Sequence, residues 1–177
     1  ILNIVLMLTL CAVSYAQITR SVYGISLGDT ETTVLQIMSS KNLTIEPQTS
    51  QHGKILGGTG DVIFAGESWD AVSVTLRNGK VYGIMFIKEK EREEGRQLLY
   101  TFSAVCKALI DKYSSYALTP ISKEYSYGAD MSFVFSDKKT SVACNLQIRP
   151  ETKTIMTLGY VDNPELDTQS SDNANEL

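Results

Sequence analysis

Asn78-Gly79 sits between two stretches of strand-like alternation, Trp69 to Leu76 and Lys80 to Ile87. An Asn-Gly pair in that setting is the strongest short-range hairpin signal, because both central residues of a type I′ turn need positive φ. The turn predicts the register: Leu76 opposite Val81, Val74 opposite Gly83, Val72 opposite Met85. The other face would then carry Trp69, Ala71, Ser73 and Thr75 against Tyr82, Ile84 and Phe86. Both faces are partly apolar, which predicts cover, at least in part, on both sides of the hairpin.

Around the hairpin, Tyr23 to Leu27 alternates and predicts a short strand. Gly28-Asp29-Thr30 ends it and starts a helix, with Asp29 or Thr30 accepting the free amide hydrogen bonds of the first turn. Val34, Leu35, Ile37 and Met38 form that helix's apolar stripe. Residues 44 to 60 are polar and glycine-rich and predict a loop, followed by a strand over Asp61 to Ala65. Lys88 to Tyr113 predicts one long helix: its start is acid-rich, and Leu98, Phe102, Cys106, Leu109 and Tyr113 recur at three- and four-residue spacing. Four strands, about 121–127, 131–136, 141–148 and 153–160, complete an antiparallel meander.

The predicted class is therefore α+β, an antiparallel sheet with two main helices. Asp70 to Ile87 and Asp130 to Ile148 are both hairpins within a helix-then-sheet pattern, which suggests two related α-β units, 17–87 and 88–161, in one compact domain. At 177 residues with 43% hydrophobic side chains, such a chain buries a sizeable core without metal or disulfide support.

The two ends differ from this body. Ile4 to Val13 is an apolar run followed by Ser14-Tyr15-Ala16. Ten residues are too few to span a bilayer as a helix, but they suit the core of an export signal cleaved after Ala16. Residues 1–16 are thus expected to be a signal peptide, and the mature protein to be periplasmic or secreted. Cys11, in Leu8-Thr9-Leu10-Cys11, offers the alternative of a lipid-anchored protein, although Leu10 stands where a lipobox wants a small residue. Residues 162–177 hold five acids and no base, and predict a disordered acidic tail. The remaining body carries 16 bases and 15 acids, a balance that disfavours nucleic acid as a partner.

Three resemblances accompany these readings. The Ala16-Gln17 junction after a short apolar run resembles exported proteins of the Bacteroides group. Ile25 to Thr30 with Val34 resembles the helix start of small outer-membrane assembly lipoproteins of the SmpA/BamE type. The tandem α-β layout is similar to that of the beta-lactamase inhibitor protein class. Together they imply a small exported envelope protein, and they carry over no functional residue.

Chemistry-bearing patterns are sparse. His52 is the single histidine and lies in a polar context, and there is no Gly-x-Ser-x-Gly elbow. In Gly53 to Gly60 the lysine precedes the later glycines, the reverse of a phosphate loop. Asp61, Glu67 and Asp70 would be either a hydrolytic carboxylate set or solvated strand ends. Their spacing matches no calcium loop. Trp69 is either a binding anchor or a core aromatic. Tyr125 and Tyr127 alternate on one strand with Lys123, and would be either a stacking platform or rim residues. Cys106 and Cys144 both fall on apolar stripes, as a disulfide or as two separate buried thiols. No catalytic residue, cofactor or metal is expected. The leading expectation is a non-catalytic binding or structural module with an envelope protein or glycan as partner. A protein inhibitor or chaperone-like module is one alternative, and a small carboxylate-based hydrolase the other.

Overall fold

The computed structural model describes residues 17–50, 53–91, 94–125, 128–149 and 153–163. The segments expected as signal peptide and acidic tail therefore lie outside the described residues, apart from the first two of the tail. A small hairpin, β1 (Ser21–Val22) and β2 (Ile25–Ser26), leads into α1 (Glu31–Ser40). Four strands follow: β3 (Thr44–Ser50), β4 (Gly53–Phe64), β5 (Glu67–Arg77) and β6 (Lys80–Glu91). Then come α2 (Gly95–Tyr113) and four more strands, β7 (Ala117–Tyr125), β8 (Gly128–Ser136), β9 (Thr140–Ile148) and β10 (Lys153–Asp162). Together β3 to β10 make one antiparallel eight-stranded sheet in the order β3-β4-β5-β6-β10-β9-β8-β7. The α+β class is as the sequence predicts.

Local signals act where expected. Asn78 and Gly79 have φ of 52° and 72° and turn β5 into β6. Thr30 caps α1, its Oγ1 accepting from the Thr33 amide at 3.3 Å, while Asp29 accepts from Ser26 N at 2.8 Å.

Four expectations are corrected. Tyr23-Gly24 is not strand interior but the turn of the β1–β2 hairpin, with φ of 59° and 83°. Residues 44 to 50 and 53 to 60 lie in two paired strands rather than a loop, since β4 is hydrogen-bonded to β3 on one side and β5 on the other. Lys88 to Glu91 continues β6 rather than opening α2. Its alternating charges meet partners on neighbouring strands: Lys88 pairs with Glu67 at 3.1 Å, and Glu89 with Lys153 at 3.2 Å. The hairpin register holds at Leu76–Val81 but slips beyond it. Thr75 pairs with Gly83, so Tyr82 is the extra residue of a β-bulge.

That bulge decides which faces are covered. It flips the alternation of β6, so Val81, Ile84 and Phe86 all join Val72, Val74 and Leu76 of β5 on the buried side. The hairpin's large apolar groups converge on one face, and cover on both sides is not what the chain adopts.

A single cross-strand row places both helices. Gly58, Val72, Phe86, Leu158, Cys144 and Phe133 are successive Cα partners across six strands. At one end of the row a methyl-sized group on Gly58 would touch Met38 of α1, and at the other Phe102 of α2 lies on Phe133, ring centroids 5.9 Å apart. Both helices therefore cover the same face. The core lies between them and the sheet, with Phe86 stacked on Phe64 and touching Tyr23 and Trp69.

The first residues of the described chain are part of this body. Ile18 is buried, its amide donates to Asp137 Oδ2 at 2.9 Å, and Arg20 pairs with Asp162 at 2.8 Å.

Candidate functional site: the open face of the sheet

The row next to the core row points the other way. Gly57, Ser73, Met85, Gly159, Ala143 and Val134 are successive partners across the same six strands. Nothing in the described chain covers them, and Met85 is 38% exposed. A hollow of about 350 Å3 lies over the middle of this row, bordered by Thr75 and Arg77 on one side and Ser141 and Asn145 on the other.

Four of the row's six residues are Gly, Ser or Ala. A solvated strand face ordinarily carries Thr, Lys, Glu or aromatic groups, because glycine inside a strand destabilises by roughly 0.5–1 kcal/mol relative to alanine. Gly58, on the covered face, has a packing reason: an added methyl would lie 3.1 Å from Leu43 and 3.2 Å from Val72. Gly57, Gly83 and Gly159 have none. The nearest atoms to an added methyl there are 3.5 Å, 3.5 Å and 3.9 Å away, ordinary contact distances. A glycine inside a strand often marks a bulge, which accounts for Gly83 beside Tyr82, or a place where another surface approaches closely, the reading left for Gly57 and Gly159.

On the β8–β10 half of the face, polar side chains bond one another. Ser132 Oγ donates to Asn145 Oδ1 at 2.5 Å, and Asn145 Nδ2 donates to Thr157 Oγ1 at 3.1 Å, a ladder across three strands. Ser136 and Ser141 hydroxyls bond each other, and Asn163 Nδ2 donates to Ser141 at 2.8 Å. At one edge the Arg77 guanidinium lies 3.8 Å from the Tyr82 ring centre. Covering the β8–β10 half therefore strands few polar groups, which keeps its desolvation cost low.

The residues singled out in the sequence lie elsewhere. Trp69 is 2% exposed, with its indole N–H on the Phe64 carbonyl at 3.0 Å, so it is a core aromatic and not an anchor. Glu67 is held by Lys88, and Asp70 Oδ2 accepts from the Glu89 amide at 2.6 Å, so both join β5 to β6. Asp61 acts on Tyr23, whose hydroxyl is pushed up by burial first and then by this carboxylate. A second hollow, of about 330 Å3, lies on the helix side between α2 and Phe64, with Tyr160 in its wall and Glu67 and Lys112 at its rim.

Tyr127 and His52 lie outside the described residues. Tyr125 pairs with Gly128 at the end of the edge strand β7, so this part of the expected platform is in the sheet's outermost strand. Cys106 and Cys144 are both buried as free thiols, one on α2 and one on β9. Among the described residues, no group of three or more His, Cys, Asp or Glu could hold a metal, and no helix is long and apolar enough to cross a membrane.

Sequence reasoning missed the open face. Its one visible signal was glycine at positions 83 and 159, inside otherwise good strands.

No family model matches the chain, and neither does any curated protein or solved structure.

Proposed function

We propose that the chain is an exported, non-catalytic binding module of the bacterial envelope that takes a protein partner on the open face of its sheet. The observation that carries this reading is the row Gly57–Ser73–Met85–Gly159–Ala143–Val134, in which two glycines sit where the fold has room for at least a methyl group. A flat, backbone-rich surface lets a partner come close, and Met85 supplies an adaptable apolar contact at its centre. Each square ångström of apolar surface so covered contributes about 25 cal/mol before the costs of association. Export is read from Ile4 to Val13 and Ser14-Tyr15-Ala16.

Two related units make structural sense of the surface. Each helix is followed by a four-strand meander, and the last strands, β6 and β10, pair with each other. Joining two such units edge to edge doubles the open face while leaving one helix to cover each half. An inhibitor or chaperone-like role is the form this reading takes if the partner is an enzyme or a folding chain. The hydrolase reading is weakened by the engagement of Glu67 and Asp70 between strands.

The test compares two photoreactive probes in envelope extract, one at Ser73 on the open face and one at Lys107 on the exposed side of α2. The Ser73 probe should capture a discrete partner that the Lys107 probe does not. Gly159→Thr and Met85→Lys should each cut that capture at least tenfold, while Gly159→Thr leaves the melting temperature unchanged or higher. Equal capture by both probes would overturn the reading, as would a Gly159→Thr variant that loses stability. So would a hydrolytic activity abolished by Glu67→Gln or Asp70→Asn.

A further inference from the structure

We propose that Cys106 and Cys144 are a preset pair that an external disulfide closes into one covalent bridge between α2 and β9. Ring contacts on either side place the two residues. Phe102 lies on Phe133, and Phe133 is the Cα partner of Cys144. Cys106 follows Phe102 by four residues, one turn along the same helix face. Further along α2, Tyr113 lies on Phe135 at 6.0 Å, and Phe135 pairs with Val142. The helix thus runs from above the Cys144 position towards the Val142 position, with Cys106 on its buried side.

The two cysteines are 4% and 0% exposed, so both thiols lie inside the helix–sheet layer. The chain has three cysteines, and the two among the described residues lie one on α2 and one on the strand face that α2 covers. Two apolar side chains would fill the same space, so packing alone gives no reason for both to be cysteine.

The chemistry is thiol–disulfide exchange with a small-molecule or protein disulfide as oxidant. A hydrogen bond from Cys144 eases deprotonation of Cys106, drawing its thiol down against the opposing effect of burial. The same contact, with burial and the neighbouring charge of Cys106, pushes Cys144 far up. The first proton therefore leaves the pair more readily than the second. The Cys106 thiolate attacks one sulfur of the external disulfide and expels the other as a thiolate. The mixed disulfide left on Cys106 carries no charge, which removes the repulsion that held the Cys144 proton. Cys144 then loses its proton, attacks the Cys106 sulfur and expels the second external thiolate. Two protons leave the protein and two electrons reduce the external disulfide to two thiols. Because both sulfurs are buried, exchange in the folded protein requires α2 to lift from the sheet.

The experiment uses the full chain, reduced and then held in a buffer of oxidised and reduced glutathione, once folded and once during refolding from urea. Each sample is alkylated under denaturing conditions and mapped by peptide mass. A peptide joining Cys106 to Cys144, with Cys11 alkylated, is expected in the refolded sample. Its appearance in the folded sample as well, more slowly, equally supports the pair. Reductant should release it, and Cys144→Ser should abolish it. Alkylation of both Cys106 and Cys144 in the refolded sample overturns the proposal. Glutathione caps on them, or a bridge from either to Cys11, would do the same.

Discussion

Tyr160 shows how one buried residue sets a pH limit. Its ring lies in the core, edge-on to Phe64 at 6.3 Å, and its hydroxyl is pushed above the ordinary value near 10, by burial first and then by Tyr113 and Cys144. A phenol whose folded value is raised stabilises the fold fully below its unfolded value, and that stability is lost as pH rises through and beyond about 10. Thermal unfolding should therefore be flat from pH 7 to 9 on this account and fall above about 10. Tyr160→Phe should show a shallower fall, measured by circular dichroism at a series of pH values. The slope should shrink and not vanish, because Tyr23 is shifted in the same direction. An unchanged slope would mean that Tyr160 titrates equally in both states.

At the scale of elements, β6 gathers the core because a bulge re-aims it. Phe86 is wholly buried and touches Tyr23, Phe64 and Trp69, which joins β1–β2, β4 and β5 through one ring. Phe86→Ala should cost about 3–5 kcal/mol, the range for emptying an aromatic site in a core. Urea titration followed by Trp69 fluorescence measures it directly, since Trp69 is the single tryptophan and sits against the vacated space. A loss under about 1 kcal/mol would show that the site collapses, and that β6 is not the hub of the core. How far this was legible is mixed. The Asn78-Gly79 turn and the α2 stripe were readable because each signal lies within a few residues. The bulge at Tyr82 was not, because it depends on which partners lie across the strand.

At the scale of the whole molecule, β6 and β10 make two meanders into one sheet, nine residue pairs long in register from Lys153–Glu91 to Val161–Gly83. The N-terminal segment ties across the same joint, with Ile18 on Asp137 and Arg20 on Asp162. A core row continuous from Gly58 to Phe133 leaves no seam between halves. Unfolding should therefore be a single cooperative transition. Trp69 fluorescence, which reports the first half, and far-ultraviolet circular dichroism, which reports both, should give coincident curves. Separated midpoints would make the halves independent units. Closing the Cys106–Cys144 bridge, a loop of about forty residues, should raise the common midpoint by the equivalent of roughly 3–4 kcal/mol.

By itself the sequence determined what is decided locally. The hairpin turn follows from the positive φ that Asn78-Gly79 accepts, the start of α1 from the Thr30 hydroxyl, and the buried side of α2 from its periodicity. The meander of β7 to β10 is legible for the same reason, although Gly128 to Asp130 belong to β8 and are not the turn that the gap between the predicted strands 121–127 and 131–136 implies. Tertiary structure decided the rest. Residues 44 to 60 look like a loop until β5 supplies the ladder that outweighs four glycines. Lys88 to Glu91 looks like a helix start until Glu67 and Lys153, distant in the chain, pair with its alternating charges. The open face was hidden because its row takes one residue from each of six strands, and only strand pairing brings them together. Pairing across a sheet is a contact between remote segments, so no window of neighbouring residues contains it.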